Sequence, residues 1–170
     1  EFYKAVNSVR NGFIRTEADE VQYNLHVLLR FDLERAMIAG DLQVQDLQSA
    51  WNERFAADFG YEVPRASQGC LQDVHWSVGL FGYFPTYALG NVYAGCLFSR
   101  MTALNPDLDD QLRVGDLSKA TGWLQESLQR HGAVNLPRDT IAKACEMAPS
   151  EAPLLAYLRN KFSEIYDLSL

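Results

Sequence analysis

A chain of 170 residues is long enough to bury a core of its own. Its net charge of −7 and pI near 4.9 argue against nucleic acid and against anionic membrane surfaces as partners. Hydrophobic residues at 48% and charged residues at 22% are ordinary globular values, and no apolar run approaches the roughly 20 residues that cross a bilayer.

Residues 1–9 read as the end of a helix already under way, with Phe2, Ala5, Val6 and Val9 at helical spacing. With no initiating Met and no signal peptide in front of it, this opening leads us to expect a piece of a longer protein. After the turn pair Asn11-Gly12, no Pro or Gly interrupts residues 16–39. Ala18, Val21, Leu25, Leu28 or Leu29, Ala36 and Met37 recur every three or four residues, which predicts one long amphipathic helix stopped by Gly40. Arg15 stands at the entrance of that helix, where the dipole does not favour a cation. It either pairs with Asp19 one turn on or binds a carboxylate or carbonyl by two parallel hydrogen bonds. His26, mid-helix and without metal-ligand spacing to any neighbour, reads as a structural imidazole.

Residues 41–60 predict a second helix, with Leu47, Trp51 and Phe55 on one face and Gly60 as its end. A Pro-containing loop over 62–69 leads into GCLQDVHWSVGLFGYFPTY, residues 69–87, the densest aromatic patch in the chain. Gln72, Asp73 and His75 are set in this apolar ground, where polar groups need partners. If the segment is helical, Gln72 and His75 share a face. Asp73 is placed to orient an imidazole or to meet a basic group. Pro85 suits the first turn of a helix over about 86–101, packed through Leu89, Val92, Tyr93, Cys96 and Leu97. Tyr83 and Tyr87 flank Pro85 and can pack their rings while the hydroxyls reach a cleft.

An acidic turn is expected at 105–110. Helices follow at 116–129, with Leu117, Trp123, Leu124 and Leu128 turned inward, then at 138–147 and 153–166. Cys70, Cys96 and Cys145 are widely spaced and odd in number, which predicts free thiols and a reducing, cytoplasmic setting. The whole reads as all-α, an irregular bundle of about six to eight helices in a single domain, 1–170.

Two motifs carry a resemblance. GCLQDVHW fits G-x-x-Q-D-x-H-W, and IRTEAD at 14–19 fits I-R-x-x-A-D; both resemble signatures of the carboxypeptidase Taq family of zinc metallocarboxypeptidases. The following FGYFPTYALGN and the late RNKFSEIY resemble that family too, so the likeness covers nearly the whole chain. It implies the C-terminal part of a larger helical metallopeptidase that trims C-terminal residues from peptides, with a homodimer as the implied assembly. The resemblance also implies zinc held by HExxH and a further Glu. This sequence has no HExxH, so zinc is expected from a missing N-terminal part, and the 170 residues alone are expected to be inactive. His75 is then the candidate donor to a developing oxyanion. Arg15, Gln72, His75, Tyr83 and Tyr87 are the candidate substrate contacts, with Arg15 the candidate for the terminal carboxylate. The alternative is a non-catalytic helical module descended from such an enzyme. A metal site built from Cys70 and His75 alone is set aside, since two ligands do not make a zinc site.

Overall fold

The computed structural model describes residues 1–169, which hold eight α-helices and no strand. Two compact units make up the chain, residues 1–89 and 90–170. In the first, α1 (Phe2–Val6) is exposed along its length, and α2 (Gln22–Ala39) packs against α3 (Leu47–Phe59). Their core is Leu29, Leu33, Trp51 and Phe55, with Phe13, Phe59, Tyr61 and Trp76 packed around it. The rings of Phe55 and Phe59 stack at 4.3 Å, and Tyr61 meets Phe55 edge-on at 5.2 Å.

The entrance to α2 departs from expectation. Residues 15–17 form a separate 3-10 turn, and the helix begins at Gln22. The cause is Asp19, whose Oδ1 accepts from the backbone N–H groups of Val21 and Gln22 at 3.0 and 2.9 Å. This satisfies two donors that a helix start leaves open. Oδ2 of Asp19 takes the N–H of Arg10 at 3.0 Å, and the side chain of Arg15 turns to other partners. The buried face of α2 also differs from the predicted one: it is His26, Val27, Leu29, Arg30, Leu33 and Glu34, while Leu28 is 45% exposed. Gly40 and Gly60 end α2 and α3 as expected, at φ 84 and 81, a left-handed conformation that other residues adopt at a cost.

The stretch from Gly69 to Tyr83 is mostly loop. A 3-10 turn at Ala66–Gln68 precedes it and another at Trp76–Val78 lies inside it, so Gln72 and His75 do not share a helical face. Helix α4 (Phe84–Leu104) then begins, with Pro85 in its first turn.

The second unit holds the rest of α4, α5 (Leu108–Arg113), α6 (Ser118–Ser127), α7 (Pro137–Cys145) and α8 (Ala152–Tyr166). Helix α5 stands where only an acidic turn was expected. Oδ1 of Asp116 accepts from the N–H of Ser118 at 2.9 Å, so α6 starts two residues late and Leu117, expected inside, is exposed. Cys96, Ile141 and Cys145 form the core here, with Val92, Tyr93, Leu97 and Leu128 packed on it. Cys70, Cys96 and Cys145 are all free thiols. No helix among the described residues is long and apolar enough to cross a membrane.

Gly95 is where α4 meets α8. A Cβ at this position would lie 2.8 Å from both the Cα and the backbone N of Leu154. Backbone cannot rotate away as a side chain can. Gly95→Ala is therefore expected to lower stability by about 1–3 kcal/mol, the usual cost of overpacking. Gly122→Ala in α6, where nothing lies within 4 Å, is expected to be neutral or stabilising. Thermal denaturation of the two variants side by side measures the difference, and equal midpoints would show that α4 and α8 leave room for a methyl group at this position.

Candidate functional site

The two sequence motifs meet at Arg15, Gln72 and Asp73. The side chain of Gln72 joins them: its Oε1 accepts the backbone N–H of Arg15 at 2.9 Å, and its Nε2 donates to the carbonyl of Phe13 at 3.0 Å. The same Nε2 also donates to the carbonyls of Gln68 and Gly69 at 3.1 Å. Every polar atom of this carboxamide is therefore engaged by backbone. Its place in the motif is explained by holding residues 13–15 against 68–73.

Arg15 is 6% exposed. Its Nε and Nη2 both donate to Oδ1 of Asp73, at 3.2 and 2.8 Å, and Nη1 donates to the hydroxyl of Tyr23 at 3.1 Å. The ring of Tyr87 covers the guanidinium at 4.9 Å, a cation–π contact. The other carboxylate oxygen of Asp73 accepts from Nε of Arg30 at 2.6 Å. Arg30 is fully buried; its Nη1 donates to the carbonyl of His26 at 2.7 Å, and its guanidinium lies over Trp51 at 4.6 Å. Nη2 of Arg30 is buried without a hydrogen-bond partner. Two arginines thus share one aspartate, and the trio keeps one positive charge in excess.

Burial pushes the Asp73 carboxyl upward, but the charges of Arg30 and Arg15 outweigh it and hold the group below the usual carboxylate range. For Arg30 burial is the larger effect and lowers its pKa to about 10, against the support of Asp73. Arg15 is also penalised by burial, yet Asp73 and Tyr23 raise it on balance. All three groups are charged at neutral pH.

His75 lies beside this trio and is nearly buried. Its ring packs on Phe84 at 4.3 Å, with Tyr83 at 5.6 Å and Tyr87 edge-on at 6.0 Å. Nε2 of His75 and the hydroxyl of Tyr87 are hydrogen-bonded at 3.1 Å. Nδ1 has no hydrogen-bond partner; the nearest carboxylate oxygen, Oδ1 of Asp73, is 3.8 Å away. Burial raises the pKa of Tyr87, so its hydroxyl keeps its proton and remains a donor. Tyr83 is 45% exposed, the most open of the predicted residues. Of the five candidates, His75, Tyr83 and Tyr87 therefore form one aromatic wall, while Arg15 and Gln72 sit behind it as ties.

The residues that the sequence reading missed are Tyr23, Arg30 and Glu34 on α2. Glu34 is buried and accepts from Nε1 of Trp76 at 2.7 Å and from the N–H of Gly82 at 2.6 Å. It ties the middle of the loop that carries His75, at Trp76, and its far end, at Gly82. The signal was the spacing of His26, Arg30 and Glu34 at four-residue steps, which puts all three on one side of the helix.

His26 has the structural role expected of it, with its ring 4.6 Å from Phe59 and no exposed surface. Burial first, then the charge of Arg30, lower its pKa from 6.5 to about 4. Between those values the unfolded chain binds a proton that the folded chain refuses, so stability falls as pH drops from 6.5 toward 4. The loss is on the order of 3 kcal/mol when the window is crossed. Urea denaturation at neutral pH and just above pH 4 measures it, and His26→Leu is expected to flatten this part of the profile. An unchanged slope in that variant would assign the loss to another group.

Among the described residues no group of three His, Cys, Asp or Glu is placed to hold a metal ion.

A family model described as carboxypeptidase Taq (M32) metallopeptidase matches residues 1–162. Thermostable carboxypeptidase 1 of Thermus thermophilus is 40% identical over 166 residues, which are 98% of this chain and 32% of that protein. Carboxypeptidase 1 of Bacillus subtilis is 39% identical over 98% of this chain and 33% of its own length. The crystal structure of the M32 carboxypeptidase from Deinococcus radiodurans R1 superposes with a TM-score of 0.95 at 42% identity, over 98% of this chain and 34% of that one. The chain thus spans about a third of the length of the relatives it matches.

Proposed function

This chain belongs to the carboxypeptidase Taq (M32) metallopeptidase family, and from that membership we propose that it forms one wall of the substrate groove of a zinc metallocarboxypeptidase. The observation that carries the reading is the hydrogen-bonded pair of His75 and Tyr87, backed by an arginine–aspartate trio with one positive charge in excess. The zinc belongs to an HExxH-bearing segment outside these 170 residues, and the metal chemistry with it. What this chain supplies is binding and charge.

His75 and Tyr87 offer polar hydrogens beside the ring of Tyr83, with Phe84 buried against His75. Donors held in place before reaction stabilise the negative charge that develops on a peptide carbonyl as it is attacked. Here the donor is the N–H of His75 or the hydroxyl of Tyr87, released from their mutual bond when substrate arrives. Tyr83 is open enough to pack on the side chain of the residue removed. Arg15 acts from behind Tyr87: its charge, kept in excess by Arg30, draws a free C-terminal carboxylate toward the wall. Gln72 fixes the backbone of Arg15 and so holds that charge in register. A cytoplasmic setting and a homodimer belong to the same proposal.

The test is hydrolysis of a blocked dipeptide by the protein expressed together with an HExxH-bearing N-terminal part, with and without chelator. Release of the C-terminal amino acid that stops on chelation supports the reading. No release, with the metal bound, would leave the chain as a non-catalytic helical module.

A further inference from the structure

The second unit has a hollow of its own, about 220 Å³ in volume, framed by α4, α6, α7 and the 3-10 turn Gln129–His131. Arg100, Trp123, Ser127, His131, Lys143 and Glu146 line it. The chain as a whole is acidic, with 15 Lys and Arg against 22 Asp and Glu. Gathering Arg, Lys and His around one concavity runs against that average.

The donors there are only partly used. Nη2 of Arg100 holds the carboxylate of Glu146, but Nε of Arg100 is buried and has no hydrogen-bond partner. A buried donor left open costs about 1–3 kcal/mol, so something that accepts from it would be stabilising. Lys143 spends one of its three donors on Oδ1 of Asn135, at 2.6 Å. His131 adds a ring N–H in either neutral tautomer, and Ser127 a hydroxyl. Glu146 is the one carboxylate at the rim. It closes α7 at φ 55, a left-handed conformation costly for a residue with a side chain, and is largely exposed. Its charge answers Arg100, while Lys143 has no carboxylate partner among the described residues.

We propose that this hollow binds a small oxyanion of the phosphate class. A tetrahedral anion offers acceptors on every side, which suits donors arriving from three helices and a turn. The volume admits a phosphate with a few waters. The site is separate from the His75 wall in sequence and chemistry, and it does not depend on the peptide-trimming reading.

The probe is inorganic phosphate alone, added to the 170-residue chain and compared with sodium chloride at equal ionic strength. Phosphate at about ten times its dissociation constant is expected to raise the melting temperature by about 3–5 °C, with a change in tryptophan emission from Trp123. Lys143→Gln, an exposed change that leaves the Arg100–Glu146 pair in place, is expected to abolish most of the shift. Arg100→Gln is expected to abolish it entirely. Should Arg100→Gln fail to fold, Lys143→Gln decides the matter alone. The proposal is overturned by an equal shift in chloride, by no shift at all, or by a full shift in Lys143→Gln.

Discussion

Asp73→Asn is expected to destabilise the protein by about 3–5 kcal/mol, the cost of breaking a buried ion pair from one side. The substitution keeps the shape of the side chain but removes the carboxylate that meets both Arg15 and Arg30. Arg30 has no exposed surface, so its charge cannot find water instead. The guanidinium of Arg15 keeps the hydroxyl of Tyr23 and the surrounding aromatic faces, but no carboxylate among the described residues. Urea denaturation measures the loss. Adding Arg30→Met to Asp73→Asn is expected to recover part of it, because one stranded charge is then gone; the double-mutant cycle isolates the coupling. A loss below about 1 kcal/mol for the single change would mean that water reaches the trio. In the wild type this contribution is present above the ordinary carboxylate range and is lost as pH falls through the depressed pKa of Asp73. That window lies below the one set by His26, so the two losses separate on a pH axis.

The second large effect concerns turnover. In an enzyme that joins this chain to its metal-bearing part, His75→Gln is expected to lower kcat by about 10²–10³-fold, as loss of one preorganised oxyanion donor does elsewhere. Glutamine largely preserves the packing against Phe84 but not the ring nitrogens. KM is expected to change little, because a group that acts mainly on the transition state contributes little to ground-state binding. Tyr87→Phe removes the hydroxyl bonded to His75 and keeps the ring over Arg15, and a smaller loss of about tenfold is expected from it. Steady-state hydrolysis of a blocked dipeptide checks both. A variant His75→Gln with unaltered kcat would remove His75 from the chemistry while leaving the family membership untouched.

How far the sequence could be read differs from place to place. Gly40 and Gly60 are local signals, since a left-handed residue must end each helix, and both were legible. The aromatic wall was legible as a cluster, because Phe81 to Tyr87 are near neighbours in the chain. Arg30 and Glu34 were not. Hydropathy assigns an arginine and a glutamate four residues apart to a solvated surface pair. They are buried because their partners lie more than forty residues away, at Asp73 for Arg30 and at Trp76 and Gly82 for Glu34. Leu117 failed in the opposite direction: it is apolar, yet it sits on the outer side of its element. Asp19 explains the late start of α2, because its carboxylate receives the first amides of the helix.

The ties around Asp73 and Glu34 span 42 to 58 residues of sequence. Each must close a long segment before it returns any enthalpy, and closure entropy grows with the length enclosed. Helices α2 and α3 can gather from neighbouring stretches, whereas the loop bearing His75 has nothing to dock on until they have done so. The wall is therefore expected to assemble late in folding, after the scaffold it leans on.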